Sequence, residues 1–168
     1  MNHPLSFPKS ERLSFRTMID ALFAKGETIY AYPLRMTFRL VNKADVPGEL
    51  HGAHLQLMVN APKKRFRHAV DRVRCRRLMR EAWRLQRVPL RDKLAASCPD
   101  CMLHVGIVYA SSKMAPFASI EAKTAKLLNA LDSKFFPQPS PAQEADATTA
   151  ADAQKPADSQ ASPQAPLS

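Results

Sequence analysis

Apolar residues return along this chain with two different periods, and the changes of period mark its elements. Between Ser14 and Gly26 they fall at Phe15, Met18, Ile19, Leu22 and Phe23, the i, i+3, i+4, i+7, i+8 spacing of one helix face. Ser14 can cap the start and Gly26 can stop the end, so the spacing predicts a short amphipathic helix with Phe15 and Met18 in the core. In PLRMTFRL, Leu34, Met36, Phe38 and Leu40 alternate with Arg35, Thr37 and Arg39, a strand with one apolar face and one basic face toward solvent. Leu55, Leu57 and Val59 alternate with Gln56 and Met58 and predict a second strand, after a polar loop holding Pro47 and Gly48. MLHVGIVY, residues 102 to 109, is almost continuously apolar and reads as a buried strand, with a buried helical turn as its alternative. Ser119 can cap a last helix whose apolar face is Ile120, Leu127, Leu128, Leu131 and Phe135.

Residues 69 to 87, projected at about 100° per residue, separate into two faces. Cys75, Leu78, Met79, Ala82 and Leu85 share one arc of core-facing width. Arg76, Arg77, Arg80, Arg84 and Arg87 share another, with Val73 in its middle and Trp83 near the boundary. The fold class is therefore α+β: a single small α/β sandwich domain in the order α-β-β-α-β-α, with helices covering one side of a mixed sheet. From Pro137 onward the chain is mainly Pro, Ala, Ser, Gln and Asp, with Leu167 its one apolar side chain larger than alanine. Such a segment cannot bury enough surface to offset its ordering entropy, so residues 1–136 are expected to fold and 137–168 to form a disordered tail.

Charge sharpens this picture. From Lys63 to Arg91 there are twelve Lys or Arg residues against Asp71 and Glu81, a surplus of ten that equals the formal charge of the whole chain. A solvated helix face usually relieves repulsion with Glu and Lys four residues apart, whereas Arg76, Arg80 and Arg84 form an unbroken ladder with Glu81 nearly alone. Lys63, Lys64, Arg65, Arg67, Arg72 and Arg74 crowd the first turns, where the helix dipole disfavours cations. Both costs point to a polyanion, and arginine suits bidentate phosphate contacts and stacking on bases. A membrane-surface or calmodulin-target helix is the competing reading, but the apolar arc has the width of an intramolecular core.

No run approaches the ~20 apolar residues of a membrane span, and no signal-like leader is seen, so a cytoplasmic protein is expected. Three cysteines are too few and too odd in number for a disulfide framework, which agrees with a reducing compartment. Cys98 and Cys101 form a C-x-x-C, but zinc would want four ligands and only Cys75 and His104 could complete the set. A redox dithiol would open a helix rather than precede a strand, so SCPDC reads as a loop. The acids of residues 1–136 are scattered in sequence, unlike the gathered carboxylates of a free-standing metal nuclease.

KKRFRHAVDRVRCRRLMREAWR resembles the signature of the bacterial ribonuclease P protein family: a Lys-rich strand end and an Ala-Val pair lead into Arg-Asn-Arg, a basic pair, then Arg-Glu and an aromatic. Here these are Lys63, Lys64, Ala69, Val70, Arg72, Val73, Arg74, Arg76, Arg77, Arg80, Glu81 and Trp83. KSERLSFRTMIDALFAKG is similar to the family's opening basic segment and first helix, and the likeness extends over residues 8 to 136. Val73 departs from the family's Asn, and Asp71 stands where a basic residue is common. The resemblance implies a non-catalytic subunit of an endoribonuclease that matures tRNA 5′ ends, with catalysis carried by the RNA. Its implied partners are the catalytic RNA and precursor tRNA, with no membrane and no obligate protein partner. Mg²⁺ would be bound mainly by the RNA, and no organic cofactor or protein metal site is implied. Lys63, Lys64, Arg65, Arg67, Arg72, Arg74, Arg76, Arg77, Arg80 and Arg84 would face RNA. Ile19, Phe23 and Phe38 align with a cleft that receives the 5′ leader, where rings suit stacking on unpaired bases and ordinary core packing is the alternative. Another RNA-binding module, ribosomal or chaperone-like, is the competing function.

Overall fold

The computed structural model describes residues 6–48 and 51–137, and in it the two periods become one small α/β domain. Helix α1 is Arg16–Lys25, strand β1 is Glu27–Ala31, β2 is Leu34–Asn42 and β3 is Leu55–Asn60. Helix α2 is Ala69–Gln86, α3 is Val88–Ser97, β4 is Cys101–Tyr109 and α4 is Phe117–Phe135. The expected elements stand in the expected order, joined by two that the periodicity missed, β1 and α3. Two capping expectations move: the residue before α1 is Phe15 rather than Ser14, and α4 begins two positions ahead of Ser119. The tail expected from residue 137 lies, after Pro137, outside the described residues.

The sheet runs β1-β2-β4-β3, antiparallel except for the parallel β3–β4 pair. Its register decides which side chains share a face. Leu34, Met36 and Phe38 stand opposite Tyr109, Ile107 and Val105, with Leu55 and Leu57 beside Leu103 and Val105. These residues are buried. On this face Phe38 meets Phe135 of α4 edge-on, ring centroids 5.7 Å apart, and Tyr109 meets Phe66 at 5.4 Å. Cys75, Met79, Ala82 and Trp83 of α2 and Ile120, Thr124, Leu127, Leu128 and Leu131 of α4 are buried. At about 25 cal/mol per Å² this apolar burial is the main favourable term of the fold.

The other face holds Arg35, Thr37 and Arg39 of β2 with Val108, Gly106 and His104 of β4. Helix α1 packs here, so helices lie on both sides of the sheet rather than on one. A Cβ at Gly106 would stand 3.1 Å from Leu22 and 3.2 Å from Phe23, so the missing side chain is what lets the helix approach. Met18 packs against Val41, Val46 and Met102, as a core residue should. Phe15, expected beside it, is 47% exposed. Gly26 ends α1 at φ −82°. No left-handed conformation is needed, and its value is steric, because a Cβ would run into Leu22 O and Thr37 Cγ2.

Residues 6–13 form a strap along the free edge of β3. Leu13 N donates to Leu57 O at 3.0 Å, Arg12 bridges Leu57, and Gln56 Nε2 donates to Ser10 O at 3.1 Å. Covering an edge strand in this way removes a template for unwanted pairing. Cys98 and Cys101 are joined by a disulfide, S–S 2.06 Å, which corrects the reading of SCPDC as a plain loop and removes the cysteine count as support for a reducing compartment. Among the described residues no helix is long and apolar enough to cross a membrane.

Candidate nucleic-acid interface

The basic loop is built around one apolar anchor. Phe66 is buried against Tyr109, and Arg65 N and Phe66 N both donate to Pro62 O, at 2.9 and 3.2 Å. That turn leaves Lys63, Lys64, Arg65 and Arg67 exposed. Arg72, expected to face RNA, spends one guanidinium nitrogen on the loop itself: Nη1 donates to Phe66 O at 2.9 Å and to Arg67 O at 2.8 Å. It positions the cations around it.

On α2 the buried stripe is Cys75, Met79, Ala82 and Trp83. Leu78 is half-buried and Leu85 is exposed, so the stripe is rotated away from the expected arc and takes in Trp83. Arg74 and Arg77 are exposed, and Arg76, Arg80 and Arg84 are half-buried. Arg84 pairs with Glu81 at 2.5 Å; that hydrogen bond lowers the Glu81 carboxyl below the usual carboxylate range and raises Arg84. Burial, and then the guanidinium groups of Arg12, Arg76 and Arg77, pull Arg80 below the ordinary arginine range. Cations crowd here, and the one carboxylate among them, Glu81, is held by Arg84, which leaves a surplus of positive charge that phosphate binding would relax.

Arg87 does not belong to this face. Its side chain is 1% exposed, and Nε donates to Glu11 at 2.5 Å and Nη1 to Arg84 O at 2.7 Å, with Nη2 donating to Ser6 O. A long side chain at the helix end folds back under the strap, which a projection of Cα positions cannot register. The strap adds to the interface two residues that periodicity overlooked. Arg12 and Arg87 each stack over the Phe7 ring at 5.6 Å, and Phe7 shares a depression of about 250 Å³ with Arg77, Arg80, Glu81 and Arg84. Val73 is half-buried and lines a second, mostly apolar depression of about 460 Å³ with Ala69, Val70, Arg74 and Arg77, where Val70 is 77% exposed.

The expected cleft is divided by the sheet. Ile19 is half-buried and Phe23 is 39% exposed on α1. Phe38 is 2% exposed on the opposite face, against Phe135 and under Lys134 Nζ at 5.2 Å. The strand alternates as expected, but both of its faces are covered, and α1 takes the one lined by Arg35, Thr37 and Arg39. Phe38 is therefore a core residue and leaves the cleft. Beneath α1, His104 is 1% exposed and neither ring nitrogen has a hydrogen-bond partner among the described residues. Burial, reinforced by Arg39, pushes it down to about 4.

The ribonuclease P family model matches residues 7–132. Proteins from two strains of Porphyromonas gingivalis, each named ribonuclease P protein component, are 35% identical over 130 residues, covering 76% of this chain and 89% of theirs. The solved Staphylococcus aureus RNase P protein superposes with a TM-score of 0.51 at 14% identity, over 73% of this chain and 96% of that one. A mutant of the same protein does so at 17% identity and the same TM-score. At these identities the solved structures speak for the fold.

Proposed function

The chain belongs to the ribonuclease P protein family, protein subunits of the ribonucleoprotein that serves tRNA processing, and from that premise we propose that its arginine face binds the catalytic RNA while the α1 side of the sheet receives the 5′ leader of precursor tRNA. The observation that carries the first half is the unneutralised cluster itself. Lys63, Lys64, Arg65, Arg67, Arg74 and Arg77 stand exposed beside Arg76 and Arg80. A surface of this kind gains affinity by releasing the counterions of a polyanion, and its guanidinium forks pair with phosphate oxygens. The second half is supported by Ile19 and by the exposed ring of Phe23, which offers a face to an unpaired base.

In this reading the RNA cleaves the phosphodiester and the protein strengthens the hold on precursor and on Mg²⁺. Mg²⁺ favours several oxygen ligands, often carboxylates and phosphates. In this reading the ion is held mainly by the RNA's phosphates. The setting is the cytoplasm, with no obligate protein partner. Family membership sets aside the ribosomal or chaperone-like alternative.

The test is reconstitution of the purified chain with a bacterial catalytic RNA at low Mg²⁺, scoring release of the 5′ leader. Protein alone is expected to cleave nothing, and the combination to process precursor tRNA where the RNA alone does not. Cleavage by RNA-free protein that survives further purification would overturn the division of labour.

A further inference from the structure

Helix α3 ends in a four-residue turn, Cys98 to Cys101, that leads straight into β4 and is closed twice over. The disulfide closes it once. The backbone closes it again without sulfur: Cys98 N donates to Leu94 O at 2.9 Å and Cys101 N to Cys98 O at 3.1 Å. Neighbouring segments fix the turn from both sides. Lys43, just after β2, donates from N to Asp100 O at 2.8 Å and from Nζ to Pro99 O at 2.6 Å. His54, just before β3, has Nδ1 3.0 Å from Cys101 O. These contacts hold the two Cα atoms 5.3 Å apart, the span that a disulfide requires. Opening the disulfide therefore leaves both thiols within reach of each other, as reversible closure needs.

The pair is reachable and selective. Cys98 and Cys101 are half-buried, whereas Cys75 is 0% exposed and burial pushes its thiol up to about 11. Its place in the fold also separates a regulated disulfide from a catalytic one. Cys98 follows the carbonyl end of α3, whose partial negative charge disfavours a thiolate, so the pair is poorly suited to reducing other proteins. It acts on its own chain. At the other end of the same helix, Arg91 lies 3.6 Å from Glu11 of the strap, next to the buried Glu11–Arg87 pair. The strap in turn carries Phe7 and Arg12 over the arginine face.

We propose that Cys98 and Cys101 form a reversible thiol–disulfide site, and that closing it steadies α3 and the strap so that the chain holds RNA more tightly when oxidised than when reduced. The proposal rests on the reading that the arginine face binds RNA. In a cytoplasmic setting disulfides are uncommon, and those that form are mostly transient and redox-sensing. The co-reactant is a low-molecular-weight disulfide of the glutathione class. One protein thiolate attacks a sulfur of that disulfide and expels one thiol; the second attacks the protein sulfur of the mixed disulfide and expels the other. One S–S bond breaks and one forms, and the two protons and two electrons of the protein dithiol end on the released thiols. Excess thiol runs the same steps backward.

The experiment equilibrates the full chain in glutathione buffers from reduced to oxidised, alkylates free thiols before and after unfolding, and measures binding to a bacterial catalytic RNA at each ratio. In the native chain two thiols should appear on reduction and vanish on reoxidation, with the buried Cys75 labelled only after unfolding. RNA binding should strengthen by about 2- to 30-fold from reduced to oxidised, the range for coupling carried through packed and ion-paired contacts, and with the same midpoint as the thiol count. Cys98→Ser combined with Cys101→Ser should bind like the reduced chain at every ratio. If the native pair stays closed in excess thiol, or fails to reclose, the reversible site is wrong. If it cycles while RNA affinity stays flat, the coupling is wrong and the arginine face stands. If neither state binds the catalytic RNA, the face reading falls and the coupling with it, while the thiol count still judges the site.

Discussion

Replacing Glu11 with alanine removes a carboxylate that holds the N-terminal strap to the end of α2. Glu11 accepts from Arg87 Nε at 2.5 Å and lies 3.6 Å from Arg91 Nη1, with side chains 5% and 1% exposed for Glu11 and Arg87. The pair itself contributes little net stability, because both charges were taken out of water to make it. Breaking it is different: Arg87 would remain buried as a cation with no carboxylate among the described residues against it, facing the carbonyls of Arg84 and Ser6 and the Phe7 ring. Removing one partner of such a pair costs about 3–5 kcal/mol, and the two remaining carbonyl acceptors place this case at the lower end, about 3 kcal/mol. At the few degrees per kcal/mol of a domain this size, thermal melting should fall by roughly 10 °C. Because the strap also carries Phe7 and Arg12 over the arginine face, RNA affinity should fall as well. Replacing both residues, Glu11→Leu with Arg87→Met, should recover stability relative to the single change. A melting point for Glu11→Ala within about 2 °C of wild type would refute the buried pair and the docking of the strap.

Met79→Ala, at a position 0% exposed, should cost about 2–5 kcal/mol in urea unfolding, whereas Leu78→Ala, half-buried, should cost less than half as much; equal losses would put the buried stripe of α2 at the wrong rotation. His104 is held down to about 4 against an ordinary 6.5, so as pH falls through that window the unfolded chain takes up a proton that the folded one refuses. Stability should therefore decline between about pH 6.5 and 4 by at most roughly 3 kcal/mol, and His104→Leu should flatten that part of the pH profile of the urea midpoint. Val73→Asn, on the rim of an open depression, should leave melting nearly unchanged and raise RNA affinity by up to one hydrogen bond, ~0.5–1.5 kcal/mol; marked destabilisation would mean that Val73 is packed.

What the sequence left hidden has recognisable causes. Helix α2 was legible because its periodicity is strong, yet its rotation was misjudged, since Arg87 is drawn inward by Glu11 across 76 positions and such a pair leaves no local pattern. The alternation in β2 located two faces but not their neighbours. With Arg35, Thr37 and Arg39 half-buried or buried, the basic side is no solvent face, and Phe38 could not be assigned to the right side of the sheet. Strand β1 escaped because ETIYA offers Ile29 and Ala31 alone, and α3 because Leu90 and Leu94 are its only buried residues. The pairing of β1 with β2 is a matter of register, which the hairpin turn sets and the composition of either strand does not. The arginine cluster, in contrast, stands out in the sequence as charge density, although the structure withdraws Arg87 from it and adds Arg12.

That cluster's role is tested most directly by the salt dependence of binding to the catalytic RNA. Lys64, Arg74 and Arg77 are exposed, so their replacement by Gln should leave melting unchanged. If each contacts a phosphate, the slope of log K against log salt should become shallower by about 0.7–0.9 per residue, roughly 2–3 for the triple variant, with affinity falling most at low salt. A folded triple variant whose slope matches wild type would show that the RNA lies elsewhere on the molecule.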